Sequence, residues 1–508
     1  MKNSAPRPRR AFRAPAVRWA SLLAVVAIIT QVVACSEKLP VAPVDKQVAN
    51  IPLPFAPSYI VQAGSGGQIP ASVKAAIRNA GGRIVRVQPD MSLALVTGLT
   101  AAAANRLRTS GAVGMILPNV RRQYVHDPLV RTRTVKLGDR LAVRPSAARR
   151  VSALDINDPR TAEFFDSAQW NMKQVHADSA WQVTSQGAGA KVFILDTGVD
   201  TTHIDLVGRI DGTLSTSVVF APNDTVDSVP LPFGHDVVGH GTFVSSLIAS
   251  NSLGVAAVAP QAHLVMVRVL DDQGSADDFT VISGILYAAD NGADVINLSL
   301  GGYLSRDDPF QLAVVDLIQR TVDYATARGA LVVAAGGNSA VNTNTATGPT
   351  GGSYADSIQT PGGGIRQVVS VGATGPINQQ NFDMIAQYSN FGKADIAVFA
   401  PGGNITDTIA EDLVLGACSS FTADQRLTAC LGSDTTYVFE AGTSFAAPMV
   451  SAEAAVIIGQ ALSKPTPAQL EACLLNTADV LPGTSRPDIN YNFGRIDVLA
   501  GATKSSCK

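Results

Sequence analysis

From Gln169 onward the chain alternates unbroken apolar runs with longer amphipathic stretches. KVFIL, beginning at Lys191, is followed by TFVSSLIAS from Thr242; HLVMVRVL from His263 is followed by DFTVISGILYAAD from Asp278. DVINLSL from Asp294 is followed by FQLAVVDLIQRTVDYATARG from Phe310, and ALVVAA from Ala330 closes the series. Continuous Val, Ile and Leu, rather than strict alternation, predicts strands covered on both faces. The rhythm is therefore βαβ and the expected fold class is α/β, a parallel, doubly wound sheet with helices on both faces. Ligands bind outside the carboxyl ends of such strands. That singles out Asp196-Thr197-Gly198 after KVFIL and Gly336-Gly337-Asn338 after LVVAA.

A different rhythm comes first. Between Ser58 and His126 the segments SYIVQA, ASVKAAIRNAGG, RIVRVQ, SLALVTG, TAAAANRLRTSG and VGMILPNV predict strand, helix, strand, strand, helix, strand, a small ferredoxin-like α+β unit. Such a fold does not fix a function. The proline-rich stretch 36–57 lacks helical or strand periodicity and reads as an extended tether. Residues 127–165, with Arg131, Arg133, Arg140, Arg144, Arg149 and Arg150 in no apolar period, read as a solvated linker containing a processing region. The large unit is expected to span 166–503.

Residues 1–35 carry Lys2, Arg7, Arg9, Arg10, Arg13 and Arg18 ahead of the apolar run ASLLAVVAIITQVVA and Cys35, the pattern of an export signal. The run is shorter than the roughly 20 residues a spanning helix needs, which disfavours a plain transmembrane segment. Val32-Val33-Ala34-Cys35 resembles the lipobox of bacterial lipoproteins, in which Cys35 would become the acylated first residue. An ordinary signal peptide cut near Ala34 is the alternative, and either route exports the chain to the cell envelope or beyond. Arg9-Arg10-Ala11-Phe12 also resembles a twin-arginine signal, so the translocon stays undecided. A net charge of -2 over 508 residues gives no field that would gather nucleic acid or an anionic membrane. Membrane contact is expected through an N-terminal lipid alone, and the protein is expected to be a monomer.

Beyond Cys35 stand Cys418, Cys430, Cys473 and Cys507, an even number in an exported chain. Of the three pairings, Cys418 with Cys430 and Cys473 with Cys507 closes the shorter loops and is the one expected.

Taken singly, the candidate residues have bland readings. Asp196 after a strand suits a turn, His240 between Gly239 and Gly241 suits a structural histidine, and Ser444 before the helical run MVSAEAAVIIGQAL suits an N-cap. Asp-Thr-Gly also suggests an aspartic peptidase, but that chemistry needs a second carboxylate loop and no other Asp-Thr-Gly or Asp-Ser-Gly occurs. His235-Asp236 lies near His240 at a spacing that matches no zinc helix, and HExxH is absent, so no catalytic metal is expected.

Together the segments DTGVDTTHIDL, GHGTFVSSLIA, GVAAVAPQAHL, ADVINLSLGG, VVAAGGN and GTSFAAPMVSA resemble, in order, the motifs of subtilisin-like (S8) serine peptidases, over roughly Gln169 to Ala502. The resemblance implies an Asp196–His240–Ser444 triad, Asn338 as an oxyanion donor, and Ser299-Leu300-Gly301 as a strand that pairs with polypeptide substrates. No acid is placed at the floor of the adjoining pocket, so a broad or apolar preference at the residue before the cut is expected. No cofactor for catalysis is implied. Asp205 matches a family calcium ligand, which leaves structural calcium open. Phe445 stands where most members have methionine, and Phe243 replaces the second histidine of HGTH. The α+β unit then resembles an I9-type inhibitory propeptide, with Val120–His126 as the tail placed in the groove. A cut between Tyr124 and Phe165 would part the catalytic unit from Cys35. The competing reading is a catalytically silent peptide-binding protein on the same fold.

Overall fold

The computed structural model describes residues 51–507 apart from 65, 126–132, 140–157, 221–228, 306, 346–356, 361–363, 406–408, 482–483 and 485. The export signal, Cys35, most of the tether and His126 lie outside the described residues.

The first unit runs β1 (Ser58–Gln62), α1 (Ala71–Asn79), β2 (Arg83–Gln88), β3 (Leu93–Thr97), α2 (Ala101–Thr109) and β4 (Met115–Pro118). Its sheet has the order β2-β3-β1-β4 with every neighbouring pair antiparallel, so each strand–helix–strand crossover is split by a strand of the other. Alternation along the strands divides two cores. Tyr59, Val61, Ala94, Val96 and Ile116 face α1 and α2 with Val73, Ile77 and Leu107. Ile60, Leu93, Leu95, Met115 and Leu117 face the other way, into the core of the large unit. The end of the tether is not free: Leu53 and Ala56 are buried in the small core, and Arg108 donates to the Ile51 carbonyl at 2.6 Å.

After the short strand β5 (Arg121–Gln123) comes β6 (Thr134–Lys136). The large unit is then built on β7 (Lys191–Asp196), β8 (Thr216–Ser217), α3 (His240–Ile248), β9 (His263–Arg268), β10 (Ser275–Asp277), α4 (Asp278–Asp290) and β11 (Val295–Leu298). It continues through β12 (Gly302–Ser305), α5 (Pro309–Ala327), β13 (Leu331–Ala335), β14 (Ser357–Thr360), β15 (Val368–Thr374), β16 (Val398–Pro401), β17 (Val414–Ala417) and β18 (Thr436–Glu440). The helices α6 (Thr443–Gln460), α7 (Pro467–Thr477) and α8 (Val498–Thr503) follow.

Seven strands form one parallel sheet in the order β16-β15-β13-β11-β7-β9-β8. Successive residues of β7 serve opposite layers: Val192 and Ile194 pack with α3 and α6, while Phe193 and Leu195 pack with α4 and α5. This is the doubly wound α/β arrangement the apolar runs predict. The small unit seats the outer face of its sheet on the α4/α5 layer, so an antiparallel sheet that would otherwise wet one face is covered on both.

Two departures from the sequence reading stand out. Part of the stretch read as a linker, Thr134–Lys136, is an edge strand paired with β18, and Phe164 and Phe165 are buried in the main core. The large unit also runs past 503, because Cys507 is buried and bonded to Cys473. The second disulfide joins Cys418 to Cys430, so both expected pairings are present.

Candidate active site

Asp196 ends β7 at the carboxyl edge of the sheet and is fully buried. Its Oδ1 accepts from the Thr197 N–H at 2.7 Å and lies 2.8 Å from His240 Nδ1. His240 opens α3 and is 4% exposed. The turn that presents it requires glycine twice. Gly239 sits at φ 85°, and a Cβ on Gly241 would lie 2.1 Å from the Gly198 carbonyl oxygen. Asp236 fixes the start of the helix by accepting from the Gly239 N–H (2.9 Å), the Thr242 N–H (2.9 Å) and the Thr242 hydroxyl (2.6 Å).

Burial is the largest influence on the His240 imidazole and pulls its pKa down. The charge and hydrogen bond of Asp196, with the charges of Glu440 and Asp236, outweigh it and hold the pKa above the ordinary value. The ring therefore stays a competent proton acceptor although it is buried.

Ser444 is the second residue of α6, where backbone N–H groups have no intrahelical acceptor. Four residues on, Pro448 has no N–H to offer the Ser444 carbonyl. That carbonyl accepts instead from the Ser299 hydroxyl at 2.7 Å. Ser299 in turn accepts from Asn297 Nδ2 at 2.9 Å, and Asn297 Oδ1 accepts from the Ser451 hydroxyl at 2.8 Å. The serine is thus registered to the end of β11. Phe445 places its ring 5.5 Å from the His240 ring, centroid to centroid, and 4.3 Å from Phe243. The two departures from the family pattern are therefore one packed pair backing the imidazole. Among the described residues no hydrogen bond joins the Ser444 hydroxyl to His240.

Asn338 follows β13 and is exposed. Its Oδ1 accepts from the Thr443 N–H at 2.9 Å and the Thr443 hydroxyl at 2.8 Å. With the carbonyl end fixed, the Nδ2 donors are left for a ligand beside Ser444. All four sequence candidates thus converge at one corner. Of the expected substrate strand, Gly301 offers its N–H to the groove, whereas Leu300 is buried and Ser299 serves Ser444.

The expected substrate strand and β10 have a segment of the chain itself between them. β5 pairs antiparallel with β10, Arg121 opposite Asp277, Arg122 opposite Ala276 and Gln123 opposite Ser275. The Tyr124 and Val125 N–H groups donate to the Gly274 carbonyl at 3.1 and 3.0 Å, and Gly301 N lies 3.5 Å from the Tyr124 carbonyl. A Cβ on Gly274 would come within 2.7 Å of the Val125 carbonyl oxygen. Sequence reasoning missed this wall of the groove, because Gly274–Asp277 carries no motif of its own.

Asp205 does not fit the calcium role that the resemblance implies. Its oxygens accept from the N–H groups of Leu253 (2.7 Å), Gly254 (3.1 Å) and Val255 (2.9 Å) and from the Tyr437 hydroxyl (2.8 Å). A carboxylate so committed, with Oδ2 accepting three times and Oδ1 once, ties a loop to β18. Among the described residues His176, Asp479 and Asp497 are near enough to one another to hold an ion, but Arg495 pairs with Asp479 and Asp497 caps α8 at the Ala500 N–H.

A model of the subtilase family, Peptidase S8, matches residues 187–495. Thermitase of Thermoactinomyces vulgaris is 33% identical over 331 residues, 65% of this chain and 93% of that protein. Subtilisin Savinase of Lederbergia lenta is 34% identical over 321 residues, 63% of this chain and 94% of that one. Among solved structures, fervidolysin from Fervidobacterium pennivorans, a keratinolytic enzyme related to subtilisin, superposes with a TM-score of 0.63 over 89% of this chain and 61% of its own, at 22% identity. At that identity the likeness speaks for the fold.

Proposed function

The chain belongs to the subtilase family and is a serine endopeptidase, and from that membership we propose that it cuts polypeptides with Ser444 as nucleophile, His240 as general base and Asp196 as the orienting carboxylate. The observation that carries the assignment is the buried 2.8 Å contact between His240 Nδ1 and Asp196, next to the start of α6. A hydroxyl is a weak nucleophile at neutral pH, so Ser444 Oγ passes its proton to His240 Nε2 as it attacks the carbonyl carbon. Asp196 holds the tautomer that leaves Nε2 free and stabilises the imidazolium. The proton then goes to the leaving amine, an acyl-enzyme forms on Ser444, and water attacks it by the same route. Charge building on the carbonyl oxygen is met by Asn338 Nδ2 and the Ser444 N–H.

Residues 58–126 act, in this reading, as an I9-type inhibitory propeptide, and its tail blocks the groove until processing between Tyr124 and Phe165. The paired strands β5 and β10 support that role. Export, with acylation of Cys35, would tether the precursor, and processing would free the catalytic unit. No helix of the described residues is long and apolar enough to cross a membrane.

The test is a fluorophosphonate probe on exported protein beside Ser444→Ala, with mass spectrometry to locate the adduct and the new N-terminus. An adduct on Ser444 that appears only after loss of the N-terminal unit is expected. A processed, folded protein that never labels would replace this reading with that of a silent peptide binder.

A further inference from the structure

Asp278, the first residue of α4, is a fully buried acid with an unusual set of partners. Its Oδ1 accepts from Arg122 Nε at 3.0 Å and lies 3.4 Å from the Tyr124 hydroxyl; its Oδ2 accepts from Arg122 Nη2 at 3.3 Å and the Val120 N–H at 3.3 Å. Among the described residues, every hydrogen bond to this carboxylate comes from the tail, and none from the large unit that owns it. Other acids along this edge differ. Asp277 caps its own helix at the Thr280 N–H, and Asp271 closes its own turn at the Gln273 and Ser275 N–H groups. The wall is acidic throughout, with Arg121 paired to Asp271 and Arg122 to Asp278, and Asp308 adds its charge near Arg122.

Removal of the tail would leave Asp278 facing the groove beside the charge of Asp277, without the cation and the donors it has here. A bidentate fork restores both. We propose that Asp278 is a specificity-determining residue of the processed protein, a carboxylate socket that selects polypeptides carrying arginine at the place Arg122 occupies, two residues before the place of Tyr124. This rests on the reading of the groove as a peptide site. It adds to the broad preference expected next to the cut a strict one upstream of it. Lysine, a single point charge, meets one of the two oxygens and ranks second.

The experiment uses processed protein obtained from the full chain, with Ser444 blocked by a sulfonyl fluoride. Fluorescein-labelled peptides with the sequence of residues 118–125, and counterparts with lysine, leucine or glutamate in place of Arg122, are titrated by anisotropy. Truncating one partner of a buried, hydrogen-bonded charge pair predicts that leucine weakens binding at least about 30-fold, about 2 kcal/mol at 1.36 kcal/mol per tenfold, with glutamate weaker still. In Asp278→Asn the gap between arginine and leucine should shrink to that of a rim contact, about threefold. Equal binding of arginine and leucine peptides to the wild-type protein overturns the proposal without needing any variant to fold, and so does undiminished discrimination in Asp278→Asn. Casein cleavage by unblocked protein is read separately. Its absence beside intact discrimination would sink the peptidase reading and leave the socket standing.

Discussion

Asp236 and Asp278 are both fully buried acids at the starts of helices, and burial is the foremost influence raising the pKa of each. Asp236 takes all its donors from its own unit, Gly239, Thr242 and Thr197, whereas Asp278 takes all of its donors from the N-terminal tail. The corner holding Asp196, His240 and Ser444 is thus assembled from the large unit, whereas among the described residues the Asp278 carboxylate is hydrogen-bonded by the tail alone. On the proposed roles the first region carries the chemistry and the second the selection, and substitutions should tell them apart.

The largest effects belong to the corner. In subtilisin, the family's type enzyme, loss of the serine or histidine costs about 10⁶-fold in kcat. Ser444→Ala and His240→Ala of the processed protein should fall by a similar factor on a fluorogenic peptide. Asn338→Leu should lose about 10²- to 10³-fold, the range known for that family's oxyanion asparagine, with KM little changed because the donor acts on charge present in the transition state. An equal loss in KM would make Asn338 a substrate clamp instead.

Arg122→Leu in the full chain should leave the turnover of the processed protein untouched. The inhibition constant of the separated N-terminal unit should rise about 30-fold, the lower range for a lost buried charge partner. A fall in turnover would show that the two regions are not separable. Acid sensitivity is expected to be milder. His240 works as a neutral base and its pKa is raised, so kcat/KM should climb with pH through a midpoint above the ordinary value of about 6.5. Asp196→Asn removes the charge that raises it, and the midpoint should move down in a pH–rate profile.

The smallest effect on activity is expected from Glu453, which lies in α6 fully buried, with neither carboxyl oxygen partnered among the described residues. Burial first, then the charges of Asp497 and Asp479, holds its pKa well above the ordinary value. The folded state therefore keeps a proton that the unfolded chain sheds near pH 4.3, so this group makes stability fall as pH rises from there toward the folded pKa. Glu453→Gln should flatten that fall by up to about 1.4 kcal/mol per pH unit in urea titrations, with no change in turnover.

Asp196 and Asn338 could be singled out in the sequence because each follows an apolar run, but every residue of the corner read as bland taken singly, and only the ordered family motifs joined them to His240 and Ser444. The disulfide pairing was legible from the even cysteine count and the shorter loops. β6 was not, since three residues, Thr134 to Lys136, at a sheet edge carry no period and the flanking arginines mask them. Asp205 misled because its partners at 253–255 and 437 are far off in the chain, and their N–H and O–H groups carry no signature. Asp278 was invisible for the same reason, with 156 residues separating it from Arg122. Phe243 and Phe445 each read as a lone oddity, and only their contact shows that one accommodates the other.

Pro448 gives the nucleophile a mechanical property that an unbroken helix would not. Because the Ser444 carbonyl is clamped to Ser299 and not to the next turn, the reactive hydroxyl is indexed to the strand β11 as a tool is to its bed.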